Sequence, residues 1–249
     1  MSGAGGHITL ACLDLAGTTV ADEDAVKTAF AEAIATFGVV SGTSAYERAM
    51  TRIRGARGRP KIDIFRDLFP GDEARAQAAH LAFERSYDAG IDRNGVRPVP
   101  GAGEAIDKLV GSGVRVCLMT GFSRTTLGRV IDALDWWQRI DLAMCPADVS
   151  RGRPWPDLVL TAALRLGVED VRHVAVCGDT ESDMRCGCRA GASVVAGVRT
   201  GAHDPSRLRR AGATHILDSV AGLPELVLRN VSEGEGVGVG PRAAEFGCG

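Results

Sequence analysis

No segment of this chain combines a basic leader with a long apolar run. The first residues, "MSGAGGHITLACLDL", carry no basic n-region and only a six-residue apolar run before Asp14. This start reads as neither a signal peptide nor a membrane span, so we expect a cytoplasmic protein with no membrane partner. Charge of neither sign dominates: the formal net charge is −2, which gives no broad basic field for a nucleic acid. No C-x-x-C pair occurs. Cys12, Cys117, Cys145, Cys177, Cys186, Cys188 and Cys248 fall mostly in or beside strand-like apolar runs, where thiols behave as small, inert hydrophobes. His7, His80, His173, His203 and His215 lack zinc-ligand spacing, and His173 reads as a strand residue. There is no internal repeat.

What is present is alternation. Short apolar runs at "HITLACLD", "GVRVCLMT", "IDLAMC", "HVAVCGD" and "ASVVAG" are mostly separated by stretches of helical period such as "GEAIDKLVGSG" and "TTLGRVIDALDWW". This pattern predicts an α/β fold, a Rossmann-like doubly wound parallel sheet with helices on both faces. Between the first and second runs, about a hundred residues carry helical spacing almost throughout. We therefore expect a core domain of residues 1–20 and 97–231, an inserted α-helical cap domain of residues 21–96, and a glycine-rich disordered tail of residues 232–249. An insert leaving the loop after the first strand would hang over the carboxyl end of the sheet, where such folds bind ligands.

Polar residues gather at that end. Asp14, Thr120, Arg153, Asp179 and Asp183 follow strand-like runs or sit in loops on one side of the predicted sheet. Carboxylates crowded at one edge repel one another unless a hard cation neutralises them, and Mg²⁺ suits carboxylates, a backbone carbonyl and waters. Asp14 and Asp179 are the expected direct ligands, with Asp183 and the carbonyl of Ala16 completing the metal site. The Thr120 hydroxyl, the Arg153 guanidinium and backbone amides of "DLAGTT" (Ala16, Gly17, Thr18), together with Gly121, suit phosphoryl oxygens. With the charge neutralised, Asp14 is placed to attack phosphorus and form an aspartyl-phosphate.

These motifs resemble the haloacid dehalogenase superfamily: "DLAGT" its motif I, Thr120 of "LMTG" its motif II, "GRPWPD" its motif III and "GDTESD" its motif IV. The likeness spans residues 8 to about 227. Most phosphatases of that superfamily carry a second aspartate where Ala16 stands, as the acid that protonates the leaving oxygen. A carbon leaving group needs no such acid, but it needs an electron sink. "DLAGTTV" with an arginine in motif III is similar to the phosphonatase branch, phosphonoacetaldehyde hydrolases and phosphonatase-like hydrolases. In that branch a cap lysine in a G-x-x-K segment forms an imine with the aldehyde substrate. "GRPKIDIFRDLF" matches the segment and puts Lys61 at the lysine position, with Asp63, Arg66 and Leu68 also fitting. Arg57, Ile64 and Phe122 stand where that branch has methionine, histidine and tyrosine.

The resemblance implies a Mg²⁺-dependent hydrolase of a small phosphonate, cleaving a C–P bond through Asp14 and Lys61. The alternatives are a phosphomonoesterase lacking the usual acid and a non-catalytic sensor of a phosphorylated ligand. A phosphomutase ranks last, because Ala16 removes its acid and base. A homodimer is the candidate assembly. The run of Arg52, Arg54, Arg57, Arg59 and Lys61 reads as a field for a dianionic substrate or as a solvated face; without interleaved aromatics it does not suit nucleic acid. Trp136 and Trp137 end a predicted helix and at least one packs inside, while Gly101 and Gly103 open the helix that follows "VPGAG".

Overall fold

Residues 7–228 are described by the computed structural model. The first strand, β1 (Leu10–Asp14), is followed by four helices, α1 (Glu23–Ala35), α2 (Ser44–Gly55), α3 (Lys61–Leu68) and α4 (Glu73–Asn94). The chain then alternates: α5 (Ala102–Gly111), β2 (Arg115–Met119), α6 (Arg124–Leu134), β3 (Leu142–Met144), α7 (Asp157–Arg165), β4 (Val174–Gly178), α8 (Glu181–Ala190), β5 (Val194–Val198), α9 (Pro205–Arg210), β6 (His215–Leu217) and α10 (Leu223–Leu228). The strands form one parallel sheet in the order β3-β2-β1-β4-β5-β6. The expected doubly wound sheet is thus observed, with one strand more than the five apolar runs announced. β6 is three residues long, paired on one side only and never fully buried, so it lacks the continuous apolar signal of a central strand.

β1 and β4 are buried along their whole length, as strands covered by helices on both faces must be. Chain order reverses between β1 and β4, so the crevice beyond their carboxyl ends is the expected ligand position of the topology. Asp14 ends β1, and Asp179 directly follows β4.

The two connections to the helical insert run side by side. Val20 bridges Pro98, Ala21 N–H donates to Arg97 O at 2.9 Å, and Val99 N–H donates to Thr19 O at 2.9 Å. The insert is held by aromatic packing: Phe30 and Phe83 rings lie 4.5 Å apart, and Tyr87 lies 4.6 Å from Phe122 of the loop after β2. Contacts of this kind add to the burial of large apolar surfaces, so Phe122 joins the sheet to the insert.

Several smaller expectations are adjusted. α6 ends at Leu134, and Trp136 and Trp137 belong to the turn beyond it; Trp136 is buried and Trp137 exposed. His173 closes a short 3-10 turn before β4 instead of entering the strand. Gly101 does cap α5, in a left-handed conformation where a Cβ would lie 2.8 Å from Ala221 Cβ. Cys12, Cys117, Cys145, Cys177 and Cys186 are buried, whereas Cys188 is exposed; Cys248 and the tail of residues 232–249 lie outside the described residues. Among the described residues, no helix is long and apolar enough to cross a membrane.

Candidate active site

Asp14, Asp179 and Asp183 converge at the crevice between β1 and β4, with carboxylate oxygens within 4.8 Å of one another. Each is held by local structure. Asp183 is the third residue of α8 and forms a capping box with Thr180, whose N–H donates to it at 3.0 Å and whose hydroxyl donates at 2.5 Å. Asp179 accepts from Ala202 N–H at 2.6 Å and from the Thr18 hydroxyl at 3.4 Å. Gly17 and Gly201 press on its carboxylate so closely that a Cβ would stand 2.7 Å and 2.0 Å from Oδ2. The glycine of the first motif is therefore required by contact as well as by its φ of +86°.

Arg153, 3% exposed, donates from Nη1 to Asp14 Oδ1 at 2.5 Å and to Asp183 Oδ1. One guanidinium thus faces three buried carboxylates. Burial pushes all three carboxyls up, Asp179 to about 6, with Asp183 adding repulsion at Asp179 and Arg153 pulling Asp14 and Asp183 back. An all-oxygen donor set with unbalanced negative charge fits a hard divalent cation such as Mg²⁺. Thr120 is buried beside this cluster at the end of β2, its hydroxyl accepting from Phe122 N–H at 3.1 Å. Ala16 and Thr18 lie in the tight turn after β1, where Gly17 N–H donates to Val20 O at 2.8 Å and Thr18 N–H to Leu15 O at 3.4 Å, so these two amides close the turn instead of facing a phosphoryl group as expected.

The segment before α3 lies directly on the loops of the sheet domain. Lys61 N–H donates to Gly121 O at 3.2 Å. A Cβ on Gly58 would stand 2.1 Å from Thr180 Oγ1, one on Gly121 2.5 Å from Arg59 O, and one on Gly152 2.4 Å from Pro60 Cγ. Three glycines permit this approach, and it brings Lys61 over the crevice. Its side chain is 6% exposed and its Nζ lies 4.6 Å from the centre of the Phe122 ring. Burial, with Arg57 and Arg153 nearby, lowers the Lys61 amine to about 8, against the opposing pull of Asp14 and Asp22.

The basic run therefore divides. Arg57 and Lys61 turn inward and are buried; Arg52 and Arg54 are exposed, and Arg59 pairs with Asp67 at 2.5 Å. Two groups beyond the sequence reading also join the site. His203 is buried, with Nδ1 accepting from Glu181 N–H at 3.0 Å, which leaves Nε2 to donate to Arg54 O at 3.1 Å. It fastens the insert to the sheet domain as a neutral ring. Asp22, at the start of α1, is buried and receives the Tyr87 hydroxyl. Ligand spacing could not reveal either, because each acts through contacts distant in sequence.

A family model described as haloacid dehalogenase-like hydrolase matches residues 12–197. A phosphonoacetaldehyde hydrolase of Nitratidesulfovibrio vulgaris is 29% identical over 256 residues, covering 87% of this chain and 88% of that protein. A phosphonoacetaldehyde hydrolase-like protein of Syntrophobacter fumaroxidans is 29% identical over 186 residues, 66% of this chain and 64% of that one. Among solved structures, a phosphonoacetaldehyde hydrolase-like protein from Oleispira antarctica shares the fold at a TM-score of 0.77, with 24% identity over 93% of this chain and 96% of that chain.

Proposed function

The chain belongs to the haloacid dehalogenase-like hydrolases, as its four motifs imply, and from that premise we propose that it cleaves the C–P bond of a small phosphonate aldehyde, phosphonoacetaldehyde or a close relative. The observation that carries this reading is Lys61: a buried amine, lowered to about 8, brought by the insert over the crevice that contains Asp14. An amine of this kind is a nucleophile near neutral pH.

Lys61 adds to the substrate aldehyde and, after loss of water, forms an iminium. Asp14 then attacks phosphorus, the C–P bond breaks, and its electron pair flows into the iminium to give an enamine and an aspartyl-phosphate. Water hydrolyses the aspartyl-phosphate, while protonation of the enamine and hydrolysis of the resulting imine release acetaldehyde. Arg153 and Thr120 bind phosphoryl oxygens, with the amide of Gly121 and the charge of Arg57 in support. Mg²⁺ held by Asp14, Asp179, Asp183 and the Ala16 carbonyl would supply charge neutralisation at the phosphoryl group. Ala16 is acceptable here because the leaving atom is carbon, and no oxygen awaits a proton.

The test is release of phosphate and acetaldehyde from phosphonoacetaldehyde, run beside a panel of phosphate esters, for wild type, Asp14→Asn and Lys61→Ala. Both products in equal amounts, lost in both variants, is the expected result. Turnover of esters alone, dependent on Asp14 and indifferent to Lys61, would make the protein a phosphomonoesterase.

A further inference from the structure

Where the chain leaves the sheet domain for the insert, Asp22 is buried with 8% exposure. Its Oδ2 accepts from the Tyr87 hydroxyl, and its Oδ1 has no hydrogen-bond partner among the described residues. A buried acceptor left without a partner is costly, so such an atom calls for an explanation. Asp22 and Tyr87 line a cleft of about 690 Å³ that also touches Gly17 of the first motif. Other charged groups on its wall are Asp24, Arg93 and Arg97.

Asp22 is linked to Lys61 through two rings. The Tyr87 ring lies 4.6 Å from the Phe122 ring, and Lys61 Nζ lies 4.6 Å from the same ring's centre. Tyr87 thus packs on the ring that carries the Lys61 amine, and its hydroxyl holds Asp22. The charged groups acting on Asp22 are Arg57, from the turn after α2, Lys61 of α3 and Asp14 of β1. The two side chains that neighbour the segment and the ring position, Ile64 and Phe122, have no proton to exchange.

We propose that Asp22, oriented by Tyr87, is the group that exchanges protons with the Lys61 amine and its substrate adduct. This rests on the imine reading above. The Asp22 carboxylate accepts a proton from the Lys61 ammonium through one intervening water and leaves a neutral amine, which adds to the carbonyl carbon. A proton shift from nitrogen to oxygen gives a neutral carbinolamine. Asp22 then returns its proton to the carbinolamine hydroxyl; the C–O bond breaks, water departs, the nitrogen lone pair forms the C=N⁺ bond, and Asp22 is a carboxylate again. Burial supports the role by raising the Asp22 carboxyl to about 6, while Tyr87, Arg57 and Lys61 oppose that rise.

The experiment is reductive trapping of the enzyme with acetaldehyde and cyanoborohydride, followed by mass spectrometry at Lys61, between pH 5 and 9. Wild type, Asp22→Asn, Tyr87→Phe and Lys61→Arg are compared. Asp22→Asn is expected to trap about 10²-fold more slowly than wild type. Tyr87→Phe is expected to move the acidic limb of the trapping rate to higher pH, because it removes the hydrogen bond that favours the carboxylate. A wild-type adduct with an unchanged rate in folded Asp22→Asn overturns the proposal alone. If Asp22→Asn does not fold, an unmoved limb in Tyr87→Phe overturns it. No Lys61 adduct in the wild type overturns the imine reading and this proposal with it.

Discussion

The Lys61 amine stands 4.6 Å from the centre of the Phe122 ring, where a protonated amine gains from the ring's negative face. The same amine is lowered to about 8, by burial first and then by the nearby charges of Arg57 and Arg153.

The pH dependence of turnover follows. In the proposed mechanism Lys61 adds to the aldehyde only when neutral, so kcat/KM is expected to rise with pH and level off above about 8. Phe122→Leu keeps the site apolar but removes the ring face that favours the ammonium, and the rise is expected to move about half a unit lower. A pH–rate profile for both proteins checks this; a profile flat between pH 6 and 9 in wild type would contradict it.

The buried amine also has a cost in stability. Its folded pKa, about 8, lies below the ordinary 10.5, so the unfolded chain binds the extra proton between those values. Stability therefore rises with pH across that window, and the full penalty, about 3 kcal/mol, applies below it. Lys61→Met is expected to stabilise the protein by about 1–3 kcal/mol at pH 7, with the gain shrinking by pH 10, while abolishing the proposed C–P cleavage. Urea denaturation at both pH values measures the difference.

The sequence announced the sheet and the acidic cluster because both depend on local patterns: continuous apolar runs, each ending in a polar residue at a strand terminus. Asp14, Asp179 and Asp183 meet because parallel strands carry their carboxyl ends to one edge. The shared contact of Arg153 with Asp14 and Asp183 was not legible, since the residues concerned are separated by 139 and 30 positions. Asp22 was hidden for a different reason. A carboxylate before a helix reads as an N-cap, yet its side chain makes no capping bond and turns to Tyr87 instead. β6 escaped notice because an edge strand of three half-covered residues has no distinctive pattern.

The crowding of three carboxylates predicts how the apoprotein responds to metal. Burial first and then repulsion from Asp183 raise Asp179 from 3.8 to about 6, so without a cation stability is lost as pH rises between those values and the full penalty applies above them. Asp179→Asn removes one charge and is expected to stabilise the metal-free protein at pH 7.5. Wild type should instead gain about 2.7 kcal/mol at a Mg²⁺ concentration a hundredfold above its Kd, and the variant much less. Thermal melts with and without Mg²⁺ distinguish these effects; equal gains in the two proteins would remove Asp179 from the metal site.

Seating of the insert on the sheet domain depends on glycine at position 58. Its φ is +83°, and a Cβ would stand 2.1 Å from Thr180 Oγ1, the hydroxyl that holds Asp183. Gly58→Ala must therefore push the segment carrying Lys61 off the sheet domain or displace Thr180, and either movement disturbs the site. A fall in kcat of at least about tenfold is expected, with a stability loss of about 1–3 kcal/mol from the strained backbone. Gly55→Ala is the control, because nothing lies within 4 Å of its added Cβ and the residue sits at the end of α2. It should leave turnover unchanged and be neutral or slightly stabilising. If Gly58→Ala retained wild-type turnover, tight seating of this segment on Thr180 would not be needed for catalysis, and Lys61 would reach the crevice without it.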